Sequence, residues 1–159
     1  TSAAGMPAYE ISNHARLGQE SRHNLSYWRY DDYIGIGPGA HGRRLDSATQ
    51  RHKKPENFLS GIKRNAHGIV SEDALNPNSR ATEALLMGLR LAEGLDLMRL
   101  SQRTGVAADA LLDMDAVDKI ARLGLIQREG NHVTVTPQGM PLLDAILPLI
   151  VKVETDAAA

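Results

Sequence analysis

The chain reads as α+β, with short strands in its first part and a mainly helical, winged-helix-like region in its second. Three observations support this. Apolar runs in the first seventy residues are brief and separated by irregular polar sequence. From residue 78 onward apolar side chains recur at helical spacing, and one hairpin signal interrupts the helices near residue 130. The boundary falls between residues 70 and 71, giving segments 1–70 and 71–159.

Each element has a local reason. Ala8-Tyr9-Glu10-Ile11 predicts a short strand, and Tyr33-Ile34-Gly35-Ile36 a second, ended by Gly37-Pro38-Gly39. Two such strands cannot bury a core alone, so they pair with something else or lean on the helical half. Pro55 suits the first turn of a helix reaching His67, with Phe58, Leu59 and Ile62 at helical spacing. Asn78 or Ser79 can cap a helix over residues 78–93, with Leu85, Leu86, Leu89 and Ala92 on one face and Gly94 as its stop. A short helix is predicted over Leu97–Thr104, closed by Gly105. Asp115 is placed to cap the next, with Val117, Ile120, Ala121 and Leu123 inside and Gly124 at its end. Residues 125–128 and 132–135 flank Glu129-Gly130-Asn131 as a hairpin. Thr136, followed by Pro137, caps a last helix bearing Leu142, Leu143, Ile146, Leu147 and Ile150, which Pro148 should kink or shorten. Residues 154–159 are expected to fray.

Composition narrows the function classes. With no cysteine, the chain can form no disulfide and no thiolate zinc site, and cannot hold an iron–sulfur cluster alone. No apolar run is long enough to cross a bilayer and no secretory pattern opens the chain, so a cytoplasmic setting is expected. The net charge of −1 conceals an asymmetry: residues 1–70 hold 10 Lys+Arg against 6 Asp+Glu, +4, leaving 8 against 13, −5, for residues 71–159. The acidic half argues against DNA, because a docking face needs several cations and the candidate recognition helix offers only Lys119 and Arg122 among three aspartates.

Residues 21–42 concentrate the chemistry. They hold two histidines, the only tryptophan and three of the four tyrosines beside a glycine-rich loop. An imidazole beside rings that can stack suits a flat, metal-bearing ligand. His23 has Asn24 to orient it, Tyr27 and Trp28 to stack, and Arg22 and Arg29 to meet carboxylates. On residue types alone, core packing is the commoner use of such aromatics, and a lone histidine is more often a hydrogen-bonding residue than a ligand. The six histidines lack the spacing of a zinc site. The loop Gly35-Ile36-Gly37-Pro38-Gly39-Ala40-His41-Gly42 fits neither phosphate-loop pattern, and a tight turn explains it as well as a close ligand approach does.

Three motifs in this order carry a resemblance. Tyr9-Glu10-Ile11-Ser12-Asn13, then Arg22-His23-Asn24-x-x-Tyr27-Trp28, then Gly35-Ile36-Gly37-x-Gly39-Ala40-His41-Gly42 closely resemble the radical-SAM family of oxygen-independent coproporphyrinogen III oxidase-like proteins, and His-Asn-x-x-Tyr-Trp resembles its haem (heme) chaperone branch. Glu83, Gly88-Leu89-Arg90 and Thr136-Pro137-x-Gly139 look like that family's C-terminal domain. The resemblance implies that residues 1–70 are the end of a truncated β/α barrel. It also implies a parent holding a [4Fe–4S] cluster and S-adenosylmethionine through cysteines that this chain lacks. Carried over by position, His23 is the haem-binding histidine and iron ligand, with Asn24, Tyr27 and Trp28 completing its motif, and Gly39, Ala40 and His41 neighbour S-adenosylmethionine. Leu25 and Ser26 depart from the Phe and Gln of the true oxidases, which weakens that alternative. The expected function is haem binding and delivery to acceptor haem proteins, membrane-associated ones included. The alternatives are part of a coproporphyrinogen III oxidase, or a protein-interaction module.

Overall fold

The computed structural model describes residues 2–44 and 46–152; the tail expected to fray lies outside them. Two compact units form, one from residues up to Tyr30 together with those from Pro77 onward, the other from Asp31–Asn76. They cut across the sequence boundary at residue 70.

The expected strand at Ala8 is two single bridges, Ala8 with His14 and Glu10 with Leu91. The cause is local. The Glu10 carboxylate accepts from Ser12 N and Oγ at 3.1 Å and from the Asn13 amide, which turns the chain before a ladder can extend. Ala92 N still donates to Tyr9 O at 3.0 Å, tying this turn to the region after Pro77. The first helix, α1, is Arg22–Trp28.

Within the second unit, Tyr33 makes one bridge to Arg43 where a strand was expected, and Ile34 and Ile36 are 74% and 89% exposed. The strands that do form are more polar. β1 (His41–Arg44), β2 (Ser47–Arg51) and β3 (Ile69–Ala74) make an antiparallel sheet in that order, with His41 opposite Gln50, Ser47 opposite Ala74, and a shift at Gln50/Arg51. Arg, Ser, Thr and Gln show no alternation of apolar residues, so periodicity could not announce this sheet. Between β2 and β3 lies α2, Pro55–Asn65, as expected, with Pro55 in its first turn and Ala66 left-handed at its end.

The first unit resumes at α3, Pro77–Gly88, which stops well short of the expected residue 93. β4 (Leu95–Asp96) packs on the last residue of α3, where a side chain on Gly88 would meet Leu95 Cδ1 at 2.8 Å, and beyond it Leu91 turns off the helical path into a buried bridge with Glu10. α4 is Leu97–Thr104, as expected, capped by Asp96 and closed by left-handed Gly105. α5, Ala108–Leu111, was not foreseen. α6, Met114–Arg122, is capped by Asp113, whose Oδ1 accepts from Ala116 N at 3.0 Å; Asp115 lies in the first turn, and Leu123 is 68% exposed instead of inside. The hairpin is β5 (Ile126–Glu129) and β6 (His132–Val135), and β6 takes the centre of a β4-β6-β5 sheet. Thr136 caps a tight turn rather than the helix itself: its Oγ1 accepts from Gly139 N at 3.0 Å and donates to Gly124 O at 2.8 Å. A 3-10 turn, Met140–Leu142, leads into α7, Leu143–Ile150. Pro148 lies inside α7 and supplies no N–H to the Asp144 carbonyl, and the helix ends two residues later.

Leu85, Leu89, Leu112, Val117, Ile126, Val133, Leu143 and Ile150 form the centre of this unit's core, all below 2% exposed. Each fully buried side chain of this size contributes about 1.5–3 kcal/mol. Among the elements of this unit, α3 is the one that α1 packs against.

Candidate functional site

Helical periodicity sets the site. In α1, His23 and Tyr27 are four residues apart, as are Asn24 and Trp28, so each pair shares a face. Ser21 caps the helix, its Oγ accepting from Asn24 N at 3.3 Å. Asn13, His23, Asn24, Tyr27 and Trp28 together line a hollow of about 280 Å³. The structure thus brings together all four residues that the motif singled out, and adds Asn13.

The side chains are held in different ways. Asn24 Nδ2 donates to the Tyr9 hydroxyl at 3.3 Å, so its amide ties α1 to the N-terminal turn. The Tyr27 and Trp28 rings meet edge to face, centroids 5.6 Å apart and planes at 72°. Behind Trp28 the Arg90 guanidinium lies 5.8 Å from the ring centroid while its Nη1 donates to Leu86 O at 2.5 Å. His23 is exposed. It therefore presents an accessible imidazole at the rim of a hollow whose other walls are aromatic or amide.

Arg29, expected to meet ligand carboxylates, is used internally. Its Nε and Nη2 both reach the Glu93 carboxylate at 2.7 Å. The hydrogen bonds from Arg29 hold the Glu93 carboxyl below its ordinary range, against an opposing push from partial burial. Arg22 is exposed beside His23.

The glycine loop lies in the other unit. Gly37 and Gly39 have φ of 93° and 74°, which makes glycine the natural residue there. Gly35 answers a different need: a Cβ on it would lie 2.1 Å from the His41 carbonyl oxygen. Gly39 N donates to His52 O at 2.8 Å, and Ala40 O accepts from Arg51 N at 2.9 Å. His41 is exposed at the start of β1. Close backbone packing thus accounts for Gly35, and left-handed turn geometry for Gly37 and Gly39. Among the described residues no cluster of three or more His, Asp or Glu could hold a bare metal ion.

The sequence reading did not single out Arg90 or Tyr9 for this site. Both sit within the quoted motifs, but only tertiary contact places them against Trp28 and Asn24. A larger hollow of about 640 Å³, lined by Glu10, Ile11, Val135, Met140 and Leu143 among others, was also invisible to sequence.

Comparison with known proteins supplies context. The HemN C-terminal domain family matches residues 75–142. A mitochondrial radical S-adenosyl methionine domain-containing protein 1 from Dictyostelium discoideum is 34% identical over 94% of this chain and 39% of its own length. Heme chaperone HemW of Bacillus subtilis is 32% identical over 86% of the chain and 36% of its own, and that of Escherichia coli 30% over 92% and 38%. The solved structure of Escherichia coli coproporphyrinogen III oxidase, HemN, described as a radical SAM enzyme, superposes with a TM-score of 0.64 at 18% identity, over 93% of this chain and 37% of that one. That likeness shows the fold alone. The chain spans little more than a third of each relative.

Proposed function

This chain belongs to the oxygen-independent coproporphyrinogen III oxidase-like radical-SAM family, matching its C-terminal portion and relatives named heme chaperone HemW, and on that premise we propose that it supplies the haem-binding helix of a haem chaperone. The observation that carries this reading is the exposed His23 at the rim of a hollow walled by Asn24, Tyr27 and Trp28. Imidazole nitrogen is a common axial ligand of haem iron, and this donor set fits it. A hollow of about 280 Å³ lies just below the usual range for small-molecule pockets, so it receives an edge of a macrocycle rather than enclosing it. Such partial enclosure suits a carrier that must release its cargo to acceptor haem proteins. Tyr27 and Trp28 supply apolar contact, and Arg22, exposed and next to His23 in the chain, is the cation proposed to meet a propionate.

The remaining roles belong to the same proposal. Gly39, Ala40 and His41 are read as neighbours of S-adenosylmethionine in the intact protein. The cluster ligands for [4Fe–4S] come from elsewhere, since this chain has no cysteine. The sheet β4-β6-β5 with α3, α4 and α6 supports the winged-helix-like reading, and the segment before residue 70 is read as the end of the barrel. The oxidase alternative draws support from the fold likeness, but its substrate-facing Phe and Gln are Leu25 and Ser26 here.

A haem titration of the whole protein and of His23→Ala, followed at the Soret band, tests the reading. The variant should lose most of its affinity and its bound spectrum should change; equal affinity and an equal spectrum would remove His23 from the proposal.

A further inference from the structure

α1 carries the proposed haem site, yet none of its seven residues is buried. A helix of two turns does not hold itself together in water, so its orientation comes from what grips its ends. Ser21 caps the first turn, and Asn24 and Trp28 make lateral contacts to Tyr9 and Arg90. The strongest grip is at the other end. Tyr30, two residues beyond the helix, is 3% exposed and takes a left-handed φ of 59°.

That conformation is unfavourable for a side chain with a Cβ, and two other helix ends in this chain take it with glycine, which avoids the cost. α4 stops on Gly105 at φ 76°, and Gly124 follows α6 at φ 75°. Ala66 after α2 also takes the left-handed region, at φ 62°, but with the smallest side chain that has a Cβ. At Tyr30 a large ring occupies the same backbone region, and three anchors hold it. Its ring enters the core cluster; its hydroxyl donates to Glu83 Oε2 on α3 at 2.7 Å; its carbonyl accepts from Arg103 Nη2 on α4 at 2.5 Å. Arg103 Nη1 also donates to Arg29 O at 3.2 Å, so one guanidinium grips both carbonyls that follow α1.

We propose that Tyr30 is the positioning residue of the haem site: its buried ring, hydroxyl and carbonyl clamp the end of α1 to α3 and α4 and so set where His23 and Trp28 face. This deepens the haem reading and rests on it. Strain persists where surrounding structure over-determines a residue, and such residues gather at sites that need a fixed geometry. A ligand held by one imidazole at the rim of a shallow hollow needs that geometry more than an enclosed one does, because few other contacts correct a misplaced nitrogen.

The test uses the whole protein and reads haem affinity, the spectrum of bound haem and the melting temperature together. Tyr30→Phe removes only the hydroxyl contact, and Arg103→Lys loosens the grip on the carbonyls while keeping the charge. Each should weaken haem binding by about threefold to tenfold, the effect of one hydrogen bond of ordinary strength, and should alter the spectrum of the bound iron. Glu83→Gln keeps an acceptor oxygen for the hydroxyl and should retain the parent spectrum. Parent affinity and parent spectrum in both Tyr30→Phe and Arg103→Lys, whatever their melting temperatures, would reduce Tyr30 to a fold-stabilising residue and overturn the proposal. His23→Ala in the same titration separates the two ideas. If it loses haem while the clamp variants do not, the clamp alone fails; if it binds as the parent does, the haem reading fails and the clamp with it.

Discussion

Replacing Gly139 with alanine should destabilise the larger unit by about 3–5 kcal/mol, and the figure can be built from the turn that follows the hairpin. Gly139 has an ordinary φ of −78°, so backbone strain plays no part. The obstacle is contact: a Cβ there would lie 2.0 Å from the Leu125 carbonyl oxygen and 2.9 Å from its carbon. Backbone cannot rotate away as a side chain can, and separation to 3.0 Å requires a shift of about 1 Å. A shift of that size breaks Thr136 N to Leu125 O, now 3.0 Å, and Gly139 N to Thr136 Oγ1, also 3.0 Å. Two hydrogen bonds at about 1 kcal/mol each, with about 1–3 kcal/mol for overpacking, give the stated range. The melting temperature should fall by about 10 °C. Urea denaturation followed by far-ultraviolet dichroism and by the fluorescence of Trp28, the only tryptophan, measures it. Gly130→Ala is the reference: φ there is 61° and nothing lies within 4 Å, so only the left-handed cost of about 1 kcal/mol applies. A Gly139→Ala loss no larger than that of Gly130→Ala would refute the close approach to Leu125.

Two further outcomes can be checked in the same way. Because Arg29 lowers the Glu93 carboxyl in the folded chain, Glu93 contributes stability above its ordinary value of 4.5 that is lost as pH falls through the folded value. Both partners are about half exposed, at 46% and 49%, so screening leaves about 0.5 kcal/mol, and Glu93→Gln should differ from the parent at pH 7 but converge with it once the pH falls below the lowered folded value in urea melts. Asp96→Ala removes the acceptor of Met98 N at 2.8 Å and Arg99 N at 3.1 Å, and should cost about 1 kcal/mol in the denaturation midpoint at unchanged slope.

The helical half was legible where a local signal coincided with the end of an element. Leu97–Thr104 begins at an Asp cap and ends at Gly105, and the hairpin turns at Gly130, because capping and left-handed turns depend on a few neighbouring residues. The signal failed where a distant contact overruled it. α3 stops at Gly88 because Leu91 and Ala92 bond to Glu10 and Tyr9 of the N-terminal turn instead, although Leu89 and Ala92 continue the helical spacing. The β1-β2-β3 sheet escaped notice because its strands are polar and gain their partners by hydrogen bonding rather than by an alternating apolar face.

The site divides along the same line. Sequence alone determined that His23, Asn24, Tyr27 and Trp28 stand in one short motif, and the absence of cysteine excludes a cluster held by this chain; that the motif is a helix, with His23 sharing a face with Tyr27 and Asn24 with Trp28, came from the structure. Tertiary structure decided what each polar group is free to do. Arg29 is drawn to Glu93, Asn24 to Tyr9, and Tyr30 is forced left-handed into the core between Glu83 and Arg103, because those partners lie far away in the chain and only packing brings them within hydrogen-bond reach. What packing left exposed is the His23 imidazole.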